Sequence, residues 1–381
     1  MRDEAFNERC DTRTLKLHLH TRPAADDFVA GSTILMAVRI LLLRRRIDED
    51  AMSFTTAVPG SAVGTGSAHG KAILIGEHTV VYGVDAISVP LPTLIVEAVA
   101  RRSTSPGLPD APVPWAAEEI ITYFVCGPDA PVPPPACGAQ IAVATALQRW
   151  GRPRETIEVW LRGTVPSARG LGASAAYAAA AVRAAADAAG ETLPEATLFE
   201  LVQCGERWTH GRASGIDAAT VMATSPVYFH AGAARPLVAN LDAVLVLADS
   251  GVPGSTRRAV RLAETVLHHD SDRAHALLDA ARLIVASART ALASADAPRL
   301  GARMTEFHAV LTACGVSTPE LNRLADEARA AGALGAKLTG GGLGGCVLAL
   351  TAPNDAQVVA ERLLLAGAIR TWAIPLQNQP R

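Results

Sequence analysis

A glycine turn that leads directly into an alanine-rich segment is the feature of this sequence that most limits its fold. Residues 165–176 read VPSARGLGASAA, and alanine dominates as far as Ala189, which is followed by Gly190. Alanine is the strongest helix former, and glycine commonly follows the last turn of a helix. Residues 157–161, before the turn, show the alternation of a strand. The sequence therefore predicts a strand, a glycine loop and a helix in succession.

The glycine turn has the properties of a phosphate-binding loop. The first N–H groups of a helix have no partners within it and carry positive dipole, and glycines let a phosphate approach the backbone. Ser174 is placed to offer its hydroxyl to a phosphate-bridging Mg²⁺. The turn is neither a GxxxxGK[ST] Walker A loop nor a clean GxGxxG. Taken alone, it is explained equally well as the capped end of a structural helix.

A second segment, residues 70–83, reads GKAILIGEHTVVYG and predicts a strand with Lys71 at one end and Glu77 and His78 at the other. The chain has 35 basic residues, of which only three are lysine: Lys16, Lys71 and Lys337. A lysine kept where arginine is usual suggests a need for a compact positive charge, as at a phosphate. Glu77 and His78 are candidates for substrate recognition, with a buried structural histidine as the alternative.

A third segment, residues 337–346, reads KLTGGGLGGC and is too rich in glycine for a helix or a strand. Such a loop is costly in conformational entropy unless its backbone must approach a ligand or a neighbouring loop. A plain connection between two elements would not need five glycines. The segment is therefore a third candidate for the functional site.

The composition favours a globular enzyme with small-molecule ligands. A length of 381 residues exceeds what one hydrophobic core usually supports, so two domains are expected. A formal charge of -2 gives no net field that attracts nucleic acid or an anionic membrane. The six cysteines have neither disulfide-framework nor zinc-site spacing, which favours reduced cysteines in a cytoplasmic protein.

Residues 1–55 differ from the rest and are excluded from the predicted fold. Their apolar run, residues 34–43, is too short to span a bilayer. Arginines follow this run, whereas a signal peptide carries its positive charges before the apolar part. We interpret the segment as a disordered or helical extension, or as the product of a start codon assigned upstream of Met52.

Periodicity and turn residues predict further elements along the chain. Strands are expected at residues 71–76, 79–81, 86–89, 94–99, 227–229, 242–248 and 346–350. Helices are expected at residues 115–126, 194–211, 256–267, 271–293 and 299–313, and from Ser317, which has Glu320 in capping-box spacing. Residues 231–236 are expected to be a linker between domains.

The segments GKAILIGEHTVVYG, PSARGLGASAA and KLTGGGLGGC resemble, in that order, the three signature motifs of the GHMP kinases. This resemblance implies an α+β fold with two domains, an N-terminal one like domain 2 of ribosomal protein S5 and a ferredoxin-like C-terminal one. The expected limits are residues 56–235 and 236–381, with the active site between the domains. Within the family, the GEHTVVYG form is most similar to that of the members that phosphorylate mevalonate.

The resemblance also implies roles for individual residues. Asp217, within the family-like pattern GERWTHGRASGID, is the expected catalytic base, and Lys71 is expected to counter charge on the transferred phosphoryl group. Ser174 and Glu206 are the expected Mg²⁺ ligands. The expected ATP-binding residues are Ala168, Arg169, Gly170, Leu171, Gly172, Ala173 and Ser174. The expected acceptor-binding residues are Glu77, His78 and Thr256, and the glycines expected near the phosphates are Gly340, Gly341 and Gly342.

The implied reaction is transfer of the γ-phosphate of ATP to the 5-hydroxyl of mevalonate, in a cytoplasmic homodimer that binds no nucleic acid and no membrane. A phosphomevalonate or sugar kinase is the alternative within the family, although Val80 and Val81 would give an apolar wall in place of sugar contacts. A non-catalytic ATP-binding sensor is the alternative from another class. Ala168 stands where the family usually has glycine, which weakens the expected ATP loop because a Cβ restricts positive φ.

Overall fold

We analysed a computed structural model, which describes residues 63–103, 115, 122–128, 130, 138–211, 213–268 and 271–377. Residues Ala62–Arg381 belong to one compact unit. The predictions for residues 1–55 and for residues 116–121 of the helix expected at 115–126 lie outside the described residues.

The first half of the described chain builds a six-stranded antiparallel sheet. Its centre is β2, Ala86–Ser103, which pairs with β1 along its length and with β4 and β5 at its two ends. The order is β3-β4-β2-β5-β6, with β1 on β2. The other strands are β1 (Val63–Ile75), β3 (Thr122–Cys126), β4 (Thr156–Gly163), β5 (Val227–His230) and β6 (Ala233–Pro236).

The alanine-rich helix forms the core of this half. Helix α2, Ala173–Ala189, ends at Gly190 as predicted, and this glycine adopts a left-handed conformation. Its alanines are almost all buried because it lies directly on β1. A Cβ at Gly64 would come within 2.1 Å of the Ala188 nitrogen. Small residues on both elements therefore allow a close approach. The neighbouring helices are α1 (Gly138–Arg149), α3 (Glu195–His210) and α4 (Ile216–Thr220).

The second half builds a four-stranded antiparallel sheet in the order β10-β7-β9-β8. Its strands are β7 (Asn240–Asp249), β8 (Gly335–Thr339), β9 (Cys346–Thr351) and β10 (Arg370–Gln377). Its helices are α5 (Thr256–Leu267), α6 (Asp272–Ala293), α7 (Ala297–Ala313), α8 (Pro319–Ala330) and α9 (Ala356–Leu365). Antiparallel sheets with separate helices confirm the predicted α+β class.

The two sheets meet where β8 contacts β1. The Thr339 hydroxyl donates to the Ile73 carbonyl and accepts from the Ile73 N–H, both at 3.0 Å. The Lys337 ammonium donates to the same carbonyl at 3.3 Å. The side chains of Lys337 and Thr339, both in β8, are fully buried. The contact places the C-terminal end of β1 against the second half of the chain.

Several local predictions were wrong. Residues 122–126 form a strand, not a helix, because they pair with β4. Residues 79–82 form a 3₁₀ turn, and the expected linker contains β6. Helix α8 is capped by Thr318, whose hydroxyl accepts from the Leu321 N–H, and not by Ser317.

The cysteine prediction holds for three thiols and fails for a fourth. Cys126, Cys314 and Cys346 are free and buried, as expected. Cys204 is disulfide-bonded, and its spacing in the sequence gave no sign of this. No helix in the described part of the chain is long and apolar enough to cross a membrane.

Candidate active site

Residues 168–172 of the predicted ATP-binding set lie in one continuous turn, the phosphate loop (residues 165–172), and the other two, Ala173 and Ser174, begin α2. Gly172, at φ 72°, precedes the first residue of α2, and no described side chain caps this helix end. Its first N–H groups therefore remain available to an anion. Ala168 adopts φ 57°, so its backbone takes the left-handed conformation despite its Cβ.

The glycine loop (residues 340–345) contacts the phosphate loop backbone to backbone. A Cβ at Gly170 would lie 2.7 Å from the Thr339 carbonyl oxygen, and one at Gly340 would lie 2.5 Å from the Gly170 Cα. Both residues have positive φ. The density of glycine is thus explained by the approach of a neighbouring loop, one of the two reasons anticipated from the sequence.

Lys71 and Asp217 are brought together at the end of the phosphate loop. The Lys71 Nζ lies 2.9 Å from the Asp217 Oδ1. The Lys71 N–H donates to the Leu171 carbonyl at 3.0 Å, and the lysine stem lies so close to Gly172 that a Cβ there would be 2.6 Å from Lys71 Cγ. The Lys71 side chain is 3% exposed and that of Asp217 is 31% exposed. The carboxylate is therefore held by a buried cation and still open to a ligand.

Ser174, Glu206 and His210 form a polar cluster beside this pair. The Ser174 Oγ lies 3.2 Å from the His210 Nε2, and that nitrogen lies 3.9 Å from the Glu206 Oε2. Burial and, to a smaller extent, the Asp217 charge raise the pKa of Glu206 to about 7, although the Ser174 hydroxyl and Lys71 oppose the shift. Burial also lowers the pKa of His210. Two carboxylates thus share one partly desolvated site.

The cluster suits a hard divalent cation that is shared with a ligand. Within the described part of the chain, no three His, Cys, Asp or Glu residues are grouped to hold a metal by themselves. Mg²⁺ is usually bound by one or two carboxylates together with substrate phosphates and water. The buried Glu206 carboxylate, with a raised pKa and the Ser174 hydroxyl beside it, fits that donor set.

His78 lies against the glycine loop and is neutral. Its Nε2 donates to the Gly341 carbonyl at 2.9 Å. Burial and, to a smaller extent, the Lys337 charge lower the pKa of His78 to about 4, although the hydrogen bond to Gly341 opposes the shift. The hydrogen bond fixes the tautomer with its proton on Nε2, so Nδ1 is left as an acceptor. This ring would accept a hydrogen bond from a hydroxyl, and it carries no charge to pair with a carboxylate.

Glu77 lies in a different environment from His78. Its carboxylate is 1% exposed and forms an ion pair with the Lys337 ammonium, which is itself fully buried. Burial raises the pKa of Glu77 and lowers that of Lys337, while each charge opposes the other's shift. Glu77 would therefore act on the site through Lys337 and β1. Lys337 has three acceptors of its own and is not open to a phosphate.

Thr256, the first residue of α5, lies against the glycine loop. A Cβ at Gly341 would be 3.0 Å from both the Cα and the Oγ1 of Thr256. The Gly341 carbonyl also binds His78. The structure thus brings Thr256 and His78 to the same residue of the glycine loop, Gly341, close to the end of β1.

Two members of the site were missed at the level of the sequence. His210 belongs to the segment GERWTHG, in which the family-like pattern indicates Glu206 and assigns no role to the histidine. The scarcity of lysine did single out Lys337, but it pointed to a phosphate and not to a buried acid. The nearest sequence signal for the ion pair that Lys337 forms was Glu77, the acidic residue at the end of the predicted strand.

Comparisons with known protein families match both halves of the chain. Residues 139–224 match the GHMP kinases N terminal domain, and residues 288–368 match the GHMP kinases C terminal family. A mevalonate kinase of Pyrococcus horikoshii is 32% identical over 319 residues, which cover 80% of this chain and 92% of that protein.

Solved structures show the same architecture. The crystal structure of L. major mevalonate kinase in complex with R-mevalonate has a TM-score of 0.66 and 25% identity, and it covers 84% of this chain and 97% of its own. Mevalonate kinase from methicillin-resistant Staphylococcus aureus MRSA252 has a TM-score of 0.61 and 28% identity, and covers 83% of this chain and 99% of its own.

Proposed function

The chain belongs to the GHMP kinase family, and from this membership we infer that it is a mevalonate kinase, which transfers the γ-phosphate of ATP to the 5-hydroxyl of mevalonate. Its enzymatic class is that of ATP-dependent phosphotransferases with an alcohol as acceptor. Relatives named mevalonate kinase span most of the chain and of their own lengths.

The observation that carries the proposal is the contact between Lys71 and Asp217 beside an uncapped helix N-terminus. The 2.9 Å contact places a cation and a part-exposed carboxylate together. The phosphate loop reaches them through the hydrogen bond between the Lys71 N–H and the Leu171 carbonyl. A phosphate on the α2 N-terminus would thus lie next to a base and a positive charge, as phosphoryl transfer requires.

In the proposed mechanism, Asp217 orients the acceptor hydroxyl and accepts its proton as the oxygen attacks the γ-phosphorus in line. Lys71 holds the Asp217 carboxylate in place and counters the charge on the transferred group. The N–H groups at the start of α2 bind the phosphates of ATP. ADP is the leaving group, and no covalent phosphoenzyme forms.

Ser174 and Glu206 are the residues that would hold Mg²⁺. Bound there, the ion would neutralise charge on the phosphate oxygens. The Glu206 carboxylate, 3% exposed, would gain a partner for its buried charge. Ser174 lies in the first turn of α2 and so would place the ion beside the same N–H groups that bind the phosphates.

An acceptor panel tests the proposal. The full chain is incubated with ATP and Mg²⁺ and with mevalonate, phosphomevalonate, homoserine or galactose, and ADP release is measured. Turnover with mevalonate alone is expected. Turnover with a different acceptor alone would contradict the assignment of mevalonate as the substrate and of His78 and Thr256 as residues that bind it. ATP binding without turnover on any acceptor would favour the sensor.

We further propose that the protein is a cytoplasmic homodimer whose ligands are ATP and a small anionic alcohol, with no nucleic acid or membrane partner. The near-neutral formal charge of -2 supports small ligands. Light scattering coupled to size-exclusion chromatography measures the oligomeric state. A mass of about one chain in solution would contradict the dimer.

A further inference from the structure

The side chain of Arg169 turns away from the phosphate loop to which its backbone belongs. Its Nε lies 2.7 Å from one Asp249 carboxylate oxygen and 2.8 Å from the other. Its Nη2 donates to the Gly251 carbonyl at 3.3 Å. The Asp249 side chain is only 5% exposed. The guanidinium is therefore engaged by protein acceptors through its Nε and its Nη2.

Arg169 holds Asp249, the last residue of β7, and Gly251, which lies in the β7–α5 loop (residues 250–255) that leads to Thr256. This loop is hydrogen-bonded to both other loops of the site. The Gly254 N–H donates to the Ala168 carbonyl at 2.8 Å. The Gly345 N–H donates to the Val252 carbonyl at 2.8 Å, and the Ser250 N–H donates to the Gly345 carbonyl at 3.0 Å. Three loops are thus tied together, with one ion pair at their centre.

The ion pair connects the two sides of the reaction. The phosphate loop carries the groups that bind nucleotide, whereas the β7–α5 loop leads to Thr256, which is assigned to the acceptor. Loss of either charge would leave its partner buried and unpaired, which strongly destabilises the arrangement. The pair thus fixes the position of the β7–α5 loop relative to the phosphate loop. The phosphate loop is assigned to ATP, and the β7–α5 loop, through Thr256, is assigned to the acceptor.

We propose that the Arg169–Asp249 ion pair is a positioning element that couples nucleotide binding to acceptor binding, so that each ligand binds more tightly when the other is present. The inference rests on the proposed function, because it assigns the two loops to ATP and to mevalonate. Thermodynamic linkage requires the coupling to be reciprocal. The factor by which ATP lowers the dissociation constant of mevalonate equals the factor by which mevalonate lowers that of ATP.

Calorimetric titration of the full chain tests the coupling. Dissociation constants are measured for a non-hydrolysable ATP analogue with and without mevalonate, and for mevalonate with and without the analogue. Substitutions Arg169→Gln and Asp249→Asn are each expected to reduce the coupling factor by about 5-fold or more, which is the lower range of typical allosteric couplings. Arg169→Lys keeps a charge but cannot reach both Asp249 and Gly251, so partial coupling is expected.

The chain offers a matched control in a second arginine–carboxylate pair. Arg101 donates from Nη2 to the fully buried Glu158 at 2.7 Å and from Nε at 3.2 Å, but the pair lies between β2 and β4. Arg101→Gln should lower stability and leave the coupling factor unchanged. Thermal unfolding of every variant shows whether stability losses are comparable.

The outcomes separate the inference from the function. Normal coupling in both Arg169→Gln and Asp249→Asn, or an equal loss of coupling in Arg101→Gln, would overturn the inference while mevalonate turnover by the wild type upholds the function. A wild-type protein without coupling would also overturn it. A wild type that neither binds nor phosphorylates mevalonate would overturn the function and the inference together.

Discussion

Lys71 is positioned by three separate contacts, and its chemistry depends on all of them. Its N–H is held by the phosphate loop, its stem by Gly172, and its ammonium by Asp217. We expect Asp217→Asn to keep the fold and ATP binding and to abolish turnover. Lys71→Met should lower kcat by roughly 10²-fold or more, because a positive charge near the transferred group is lost.

Steady-state kinetics and ATP titration measure these effects. Circular dichroism serves as the control for folding, since both residues lie close to buried elements. Turnover near the wild-type rate in either variant would show that the assigned role is wrong.

Ala168 carries backbone strain that a single change should relieve. It adopts φ 57°, a conformation that costs a residue with a Cβ about 1–2 kcal/mol, part of which glycine loses again in entropy. Ala168→Gly should therefore raise the free energy of unfolding by about 0.5–1 kcal/mol. It should also lower the KM for ATP, since the backbone becomes more accessible.

Ala295 provides the control for this change because it adopts φ 54° at the end of α6, outside the loops of the site. Ala295→Gly should raise stability in urea unfolding and leave the KM for ATP unchanged. A decrease in stability in Ala168→Gly would contradict the strain argument.

His78 should make stability depend on pH. Burial lowers its pKa from 6.5 to about 4, so the folded protein resists a protonation that the unfolded chain accepts. The contribution of the neutral His78 ring to the free energy of unfolding is therefore fully present above pH 6.5 and is lost as the pH falls towards 4. The full loss is about 3 kcal/mol at 1.36 kcal/mol per unit.

Urea unfolding between pH 7 and pH 4 measures this dependence. The comparison is His78→Gln, which keeps an N–H donor for the Gly341 carbonyl but does not titrate. The part of the slope that His78 causes should disappear in the variant. Identical pH profiles in the two proteins would refute the assignment.

At the scale of elements, the junction of β1 and β8 holds the site together. Lys337→Met should destabilise the protein by about 3–5 kcal/mol, because it leaves the buried Glu77 carboxylate without a partner. The double variant Glu77→Met/Lys337→Met should recover much of this loss, since no buried charge remains.

Urea unfolding of both single variants and the double variant forms a cycle that isolates the pair. A double variant as unstable as the sum of the two single changes would show that the ion pair contributes no mutual stabilisation.

Local sequence signals predicted the elements that carry the motifs and failed where distant pairing decides. The end of α2 at Gly190 follows from residues adjacent in the chain. The strand at residues 122–126 does not, because a short apolar run fits a helix or a strand until its partner is known. Lys337 and Glu77 are separated by 260 positions, so motif spacing did not reveal that they pair.

At the scale of the whole molecule, the two sheets are bound by a buried junction and by three interlocked loops. The six-stranded sheet draws on residues 63–236 and the four-stranded sheet on residues 240–377. The resemblance to a known family predicted this α+β architecture, whereas the domain limits 56–235 and 236–381 stay predictions. The density of glycine in residues 340–345 anticipated a close approach of the backbone, but no sequence signal indicated the junction of β1 and β8.

These contacts predict that the two sheets unfold together. Differential scanning calorimetry should show one transition whose calorimetric and van't Hoff enthalpies agree. A ligand at 100 times its Kd should raise the free energy of unfolding by about 2.7 kcal/mol and so move the whole transition to a higher temperature. Two resolved transitions, of which only one responds to ligand, would contradict this prediction.

The backbone contact between Gly170 and Gly340 also restricts how this chain can evolve. A methyl group on either residue would meet the main chain of the other loop, and main-chain atoms cannot be mutated away. No second substitution is therefore available to compensate for the first. Two positions that are far apart in the gene consequently share one mutational constraint, and a library that varies both should return glycine at each.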